Sequence, residues 1–229
     1  MLYSLNSGMP VCPACEVNSD MKRTVCISGH RDKSIIPHKK DDSDATVFAV
    51  RKMLFSFINI AVNRGFDTFI SGLAEGTDLR AAEYICSIKS EKNLKLICAM
   101  PFIKHSQFFK PPYLTILEKV EKNADILTVV NDEAQITYGK NITKFSSPFV
   151  YRERNYFMVE KSSEVIAFLN DNSYRSGTYQ TVNYARRKNK KIHCFSINDI
   201  YTVIDKAGTD KNRIEDEINL ISEYLYDIP

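Results

Sequence analysis

Short apolar runs alternate with amphipathic stretches from residue 22 almost to the C-terminus. Residues 22–28 form a β-branched run bounded by Gly29, which predicts a first strand. Val47, Val50, Leu54, Phe57, Ile58 and Ala61 then recur at helical spacing, with Gly65 just past the end. Ser43 or Asp44 is placed to cap that helix. Residues 67–70 predict a second strand, followed by a helix through Ala81, Ala82, Ile85 and Ile88. Residues 94–100 predict a third strand closed by Pro101, then a helix carries Leu114, Leu117 and Val120, and residues 125–130 predict a fourth strand. Residues 151–162 read as a helix, and 165–169 as a fifth strand that is apolar throughout, as strands covered on both faces are. Val182 and Ala185 mark a further helix, residues 192–195 a sixth strand, and Ile214, Ile218, Ile221 and Leu225 one face of a final helix.

Strands alternating with helices imply βαβ units and a parallel sheet. The expected fold is α/β, a single Rossmann-like three-layer domain with a mostly parallel sheet of about six strands, over residues 22–208. Residues 1–21 are expected to be a flexible N-terminal leader, and 209–229 a C-terminal amphipathic helix packed on the domain or on a partner. The polar stretch 131–150 exceeds an ordinary connection and is expected to be a lid, a binding loop or disordered. Tyr138, Phe145, Phe149 and Tyr151 around it could stack on a base or pack as a lid.

Composition adds little to this picture. At 229 residues, 44% hydrophobic and 26% charged, the chain suits one domain with a sizeable core. A net charge of +3 is not the basic excess of a dedicated nucleic-acid binder, and the run Arg186–Lys191 is expected to be a solvated helix C-terminus. No apolar run approaches the roughly 20 residues that span a bilayer, and the N-terminus lacks a signal pattern, so a cytoplasmic protein with no membrane partner is expected. Cys12 and Cys15 form a CxxC that Cys26 and His30 could extend to a metal set. Cys26 lies inside a predicted buried strand, so no metal site is expected.

Three turns carry candidate chemistry. Ser71-Gly72-Leu73-Ala74-Glu75-Gly76-Thr77-Asp78 sits where the second strand turns into a helix. Its glycines allow close approach to the main chain, and the free N–H groups of a helix start suit a phosphate. Ser28-Gly29-His30-Arg31 ends the first strand, and a polar turn running into Ser176-Gly177-Thr178 follows the fifth. Open α/β sheets bind ligands beyond the strand carboxyl ends, where strand order reverses. If strands one, two, four and five are neighbours, these turns converge, and three helix N-termini, each worth roughly half a positive charge, aim at one anion. Neither G-x-G-x-x-G after the first strand nor the P-loop pattern occurs.

The second turn, with Ala81-Ala82 following, resembles the S-G-x-A-x-G-x-D signature of DprA/Smf DNA-processing proteins and the wider SLOG superfamily. Arg154-Asn155-Tyr156-Phe157-Met158-Val159, with Ser162 and Ser163 after it, is similar to the RN..MV..S passage of the YpsA-like branch. Gly177-Thr178 with Thr181 and Tyr184-Ala185 is similar to that branch's G-T…T…YA element, and Ser28–Arg31 to its opening turn. The similarity runs from about Lys22 to Phe195. It implies a Rossmann-like SLOG fold that binds a nucleotide or nucleotide-derived ligand. The LOG phosphoribohydrolases of the superfamily cleave nucleotides with an arginine and a glutamate from P-G-G-x-G-T-x-x-E. Here Ser176 precedes Gly177-Thr178, and Thr181, which cannot ionise, stands in the glutamate's place.

The expected ligand-binding set is therefore Ser28, Gly29, His30 and Arg31; Ser71, Gly72, Glu75, Gly76, Thr77 and Asp78; Arg152, Arg154 and Asn155; and Ser176, Gly177 and Thr178. A non-catalytic, sensor-type nucleotide-binding domain is expected. One alternative is an N-glycosidase or phosphoribohydrolase-like enzyme using Glu75, Asp78 or His30, and another is DprA-like binding of single-stranded DNA. No resident cofactor and no metal is expected. The expected partner is a small nucleotide or derivative rather than nucleic acid, with a homodimer left open.

Overall fold

The structure, a computed structural model, describes residues 2–37, 39–40, 43–131, 148–170 and 175–228. Its strands are β1 (Leu2–Tyr3), β2 (Pro10–Pro13), β3 (Thr24–Gly29), β4 (Thr68–Ser71), β5 (Lys95–Met100), β6 (Ile126–Val129), β7 (Glu164–Leu169) and β8 (Lys191–Ser196). They form one sheet in the order β1-β2-β6-β5-β4-β3-β7-β8, parallel at every pairing except β1 with β2. The helices are α1 (Ser43–Asn63), α2 (Thr77–Lys92), α3 (Tyr113–Asn123), α4 (Pro148–Glu160), α5 (Gly177–Arg187), α6 (Ile197–Ala207) and α7 (Lys211–Asp227). The fold is α/β, with a mostly parallel sheet between two helical layers.

Strand order explains the layering. From β3 the chain steps outward through β4, β5 and β6, then returns to β7 on the other flank of β3 and continues to β8. Crossovers of one hand place helices on opposite faces when the direction of travel reverses. Accordingly α1, α2 and α3 cover one face, joined there by α6 and α7, and α4 and α5 cover the other. The pleat sorts the side chains. Val25, Ile27, Phe69, Leu96, Cys98, Ile166 and Phe168 meet the α1 side, whereas Cys26, Ile70, Ile97, Val165 and Ala167 meet Met158 and Val159 of α4 and Val182 and Ala185 of α5. Cys26 stands in register with Ile70 and with Val165, so these three form one row of the second layer.

The sheet has eight strands where six were expected, because the first residues contribute two. The segment read as a leader supplies β2, whose Cys12 and Pro13 register with Thr128 and Val129 of β6. The Thr128 hydroxyl donates to the Cys12 carbonyl at 2.9 Å, and Val11 is buried in the main core. A helix that the periodicity did not isolate, α6, starts directly after β8 with a capping box between Ser196 and Asp199. Helix α1 is the one described helix long and apolar enough to cross a bilayer, although no such run was expected. Sheet, α2, α6 and α7 surround it, which buries Ala49, Met53, Leu54, Phe57, Ile58 and Ala61. A helix wrapped on several sides reads as apolar nearly all round. The stretch 132–147, with Tyr138 and Phe145 of the expected lid, lies outside the described residues, as does 171–174 in the turn after β7.

Candidate functional site

The order of strands reverses at β3, which has β4 on one side and β7 on the other. A cleft of about 260 Å³ opens at the carboxyl ends of these strands. Ser28, Gly29, His30, Arg31 and Ser34 line it from the turn after β3, and Ala74 and Asp78 from the β4–α2 turn. Tyr151, Arg154 and Asn155 reach it from α4, and Ser176, Gly177 and Thr178 from the head of α5. The turns after strands one, two and five of the sequence reading thus converge. The fourth strand does not join them, because β5 separates β6 from β4.

The β4–α2 turn is tied to its surroundings at nearly every residue. The Ser71 hydroxyl donates to the Asp78 carbonyl at 2.8 Å, and the Thr77 hydroxyl to the His30 carbonyl at 2.8 Å. The Thr77 N–H donates to that same carbonyl at 3.2 Å, and the Leu79 N–H to the Ala74 carbonyl at 3.1 Å. The Thr77 and Leu79 N–H groups at the start of α2 are therefore committed within the protein. Gly76 has φ +97°, and a Cβ there would stand 2.6 Å from Arg31 Cα. A Cβ on Gly72 would overlap the Arg154 guanidinium, which donates to the Gly72 carbonyl. Only glycine lets these three segments close on one another.

Asp78 and Arg154 form the buried polar centre of the cleft wall. Asp78 is 3% exposed and Arg154 4%. The Gly29 N–H donates to Asp78 Oδ1 at 3.1 Å, and Arg154 Nη1 lies 3.8 Å from Oδ2. Burial pushes the Asp78 carboxyl up to about 6, against the opposing pull of Arg154 and of the Gly29 and Ala74 N–H groups. Burial likewise lowers the His30 pKa, which favours a neutral ring whose edge faces Phe168 at 6.1 Å between centroids.

The head of α5 is built differently. The Ser176 hydroxyl accepts the Tyr179 N–H at 3.1 Å as N-cap, and the Ser176 carbonyl accepts from Gln180. Among the described residues the Gly177 and Thr178 N–H groups and the Thr178 hydroxyl make no hydrogen bond, and Thr178 is only 6% exposed. Arg31, exposed at the rim, has no ion-pair partner among the described residues. It lies close enough to Arg154 for the two like charges to be felt, which lowers the Arg154 pKa beyond the lowering caused by burial. The head of α5 thus offers free donors to the cleft. Helix α1 starts at Ser43, well beyond the turn after β3, and α2 has committed its Thr77 and Leu79 N–H groups.

Of the expected residues, Ser28, Gly29, His30, Arg31, Asp78, Arg154, Asn155, Ser176, Gly177 and Thr178 meet at the cleft. Ser71, Gly72, Gly76 and Thr77 lie beneath it as framework, and Glu75 is half-buried in the turn but outside the lining. Arg152 points away, with its guanidinium 5.3 Å from the Phe149 ring. Ser34 and Ala74 were not singled out, since neither carries a pattern beyond its place in a turn. Thr181 is buried, and its hydroxyl bonds the Gly177 carbonyl of its own helix at 2.8 Å. Cys12 and Cys15 are free thiols, and no group of three potential ligands among the described residues could hold a metal ion.

The UPF0398 protein YpsA of Bacillus subtilis is 20% identical over 188 residues, covering 80% of this chain and 98% of the relative. A UPF0398 protein of Bacillus velezensis is 21% identical over 188 residues, covering 80% and 97%. The solved structure of DNA processing protein A (DprA) from Streptococcus pneumoniae aligns with a TM-score of 0.46 at 18% identity, over 85% of this chain and 61% of that one. The YpsA model, described as the YspA SLOG family, matches residues 25–200, a span that takes in β3 through the first turn of α6 and every residue lining the cleft. The chain belongs to the YspA SLOG family.

Proposed function

We propose that the protein is a nucleotide-binding module of the sensor type, whose cleft holds the phosphate of a nucleotide or nucleotide-derived ligand without cleaving it. One observation carries this reading: the Gly177 and Thr178 N–H groups at the head of α5 and the Arg31 guanidinium, which have no partners among the described residues, line the same cleft. Backbone N–H groups at a helix start, a hydroxyl and a guanidinium form a donor set suited to a phosphate. Absence of cleavage is supported by Thr181, which occupies the position of the LOG glutamate and spends its hydroxyl on the helix backbone. We place this activity in the cytoplasm, with a small molecule as partner.

Thermal unfolding in the presence of AMP, ADP-ribose and NAD tests the proposal. A ligand at a hundred times its Kd adds about 2.7 kcal/mol, or on the order of 5–10 °C in Tm for a chain of this size. If none of the three raises Tm by even about 1 °C at millimolar concentration, the reading is wrong.

A second reading draws on Asp78. A buried carboxyl with a pKa of about 6 in a cleft is suited to general acid work on a glycosidic bond. It predicts release of free base from a nucleotide, detected by chromatography and abolished in Asp78→Asn. Stable nucleotides after prolonged incubation remove it.

A further inference from the structure

We propose that ligand binding in this cleft is coupled to proton uptake at Asp78, so that an anion of fixed charge is held more tightly as the medium acidifies. The proposal rests on the reading of the cleft as an anion site.

The Asp78 carboxyl lines the same cleft of about 260 Å³ as Arg31, Gly177 and Thr178. An anion seated on the α5 head therefore enters a small space that already holds a buried negative charge. That charge is incompletely neutralised. From α4, Arg154 stands 3.8 Å from Oδ2 while its Nη1 is also given to the Gly72 carbonyl, and its Nε is buried with no partner. From the turn after β3 come the Gly29 N–H and the charge of Arg31, and from the β4–α2 turn the Ala74 N–H. Glu75 of the same turn lies outside the cleft lining, and three further displaced groups nearby add no charge near neutrality. Burial raises Tyr151 on α4, pushes the Cys26 thiol of β3 up to about 12, and lowers His30.

A carboxyl already displaced to about 6 responds readily to one more charge. A like charge within the same cleft raises its proton affinity further, by roughly tenfold for an effective dielectric near 20. The sign follows directly. The carboxyl's pKa is higher with anion bound than without, so binding takes up a proton between those two values. Affinity then falls as pH rises through that window and levels off above it.

The experiment is isothermal titration with ADP-ribose, whose pyrophosphate is esterified at both ends and so keeps its charge between about pH 5 and 8. At pH 6.5 the heat is compared in MES and in Bis-Tris, which differ in ionisation enthalpy. We expect a buffer-dependent heat equivalent to roughly half a proton taken up, and a Kd that rises roughly sixfold from pH 5.5 to 7.5. Asp78→Asn removes both effects, and His30→Gln, whatever its affinity, still takes up the proton on binding. Binding with equal heats in the two buffers and an unchanged Kd overturns the proton coupling and leaves the anion site standing. Uptake that persists in Asp78→Asn, or disappears in His30→Gln, overturns its assignment to Asp78. Should Asp78→Asn not fold, the wild-type buffer comparison and His30→Gln still decide. No binding at any pH from 5.5 to 7.5 overturns the anion site itself.

Discussion

Asp78→Asn should make the protein more stable at neutral pH, although it removes the charge partner of a buried arginine. The carboxyl's ordinary value is 3.8, and in the fold burial raises it to about 6. A carboxyl raised on folding holds its proton more tightly in the native state. It therefore contributes stability that is fully present below the unfolded value and is lost as pH rises through the folded one. The whole displacement corresponds to about 3 kcal/mol, of which about 2 kcal/mol falls between pH 4.5 and 7.5. Asparagine is nearly isosteric with the protonated acid, keeps an oxygen for the Gly29 N–H, and does not titrate. Arg154 faces a neutral group in the variant at every pH and in the wild type at low pH, so that cost is shared at the acid end. Urea unfolding followed by circular dichroism at four pH values gives the two stability curves. The variant's advantage should grow by about 2 kcal/mol from pH 4.5 to 7.5. Contributions from His30, Asp227 and the other displaced groups are common to both proteins and cancel in the difference. Parallel curves, with a gap constant to within about 0.5 kcal/mol, would refute the assignment of this titration to Asp78.

Four further changes separate framework from ligand contact. Gly72→Ala forces a methyl group into the Arg154 guanidinium and should cost about 1–3 kcal/mol, so an unchanged Tm would contradict the packing described. Ser176→Ala removes an N-cap worth about 1 kcal/mol and should also weaken anion binding in titration calorimetry. Arg31→Gln, at an exposed position with no ion-pair partner among the described residues, should change stability by less than about 0.5 kcal/mol yet reduce affinity for ADP-ribose roughly tenfold. Unchanged affinity would remove Arg31 from the site. Tyr226→Phe deletes a buried hydroxyl that has no hydrogen-bond partner among the described residues and should raise stability by about 1 kcal/mol in urea unfolding. A loss of similar size would show that the hydroxyl is satisfied.

The α/β class was legible because each element of a doubly covered sheet leaves a local trace. Val165–Leu169 is continuously apolar since helices cover both of its faces, and α1 shows helical spacing. The edge strands left no such trace. β2 is four residues long and begins and ends in proline, with Val11 alone fully buried, and it is a strand only because β6 is there to pair with it. Strand order is likewise absent from local pattern, which is how the fourth strand was counted among the neighbours at the site. Arg152 and Arg154 were a legible distinction that was missed. Two residues apart on a helix, they point in nearly opposite directions. Arg154 shares its side with Met158, four residues on and fully buried, so it was the one bound to face inward.

The Ser71–Asp78 segment looked from its composition like the phosphate loop, and its bonding argues for a different job. A glycine-containing strand-to-helix turn can bind an anion only while its N–H groups remain free. Here Thr77 and Leu79 have spent theirs, Gly72 receives Arg154, Gly76 receives the backbone of Arg31, and Asp78 fastens the turn to Gly29. What the segment fixes is therefore the position of Arg31 and Arg154 relative to β3, with the buried Asp78 carboxyl within reach of both charges. The free donors stand opposite, on α5, where Ser176 caps the helix through Tyr179 and leaves Gly177 and Thr178 open. A wall that sets charge and a facing helix end that supplies donors divide the work of one site. The dense glycine motif marks the wall, and under the proposed function the shorter Ser176-Gly177-Thr178 turn is where a phosphate would sit.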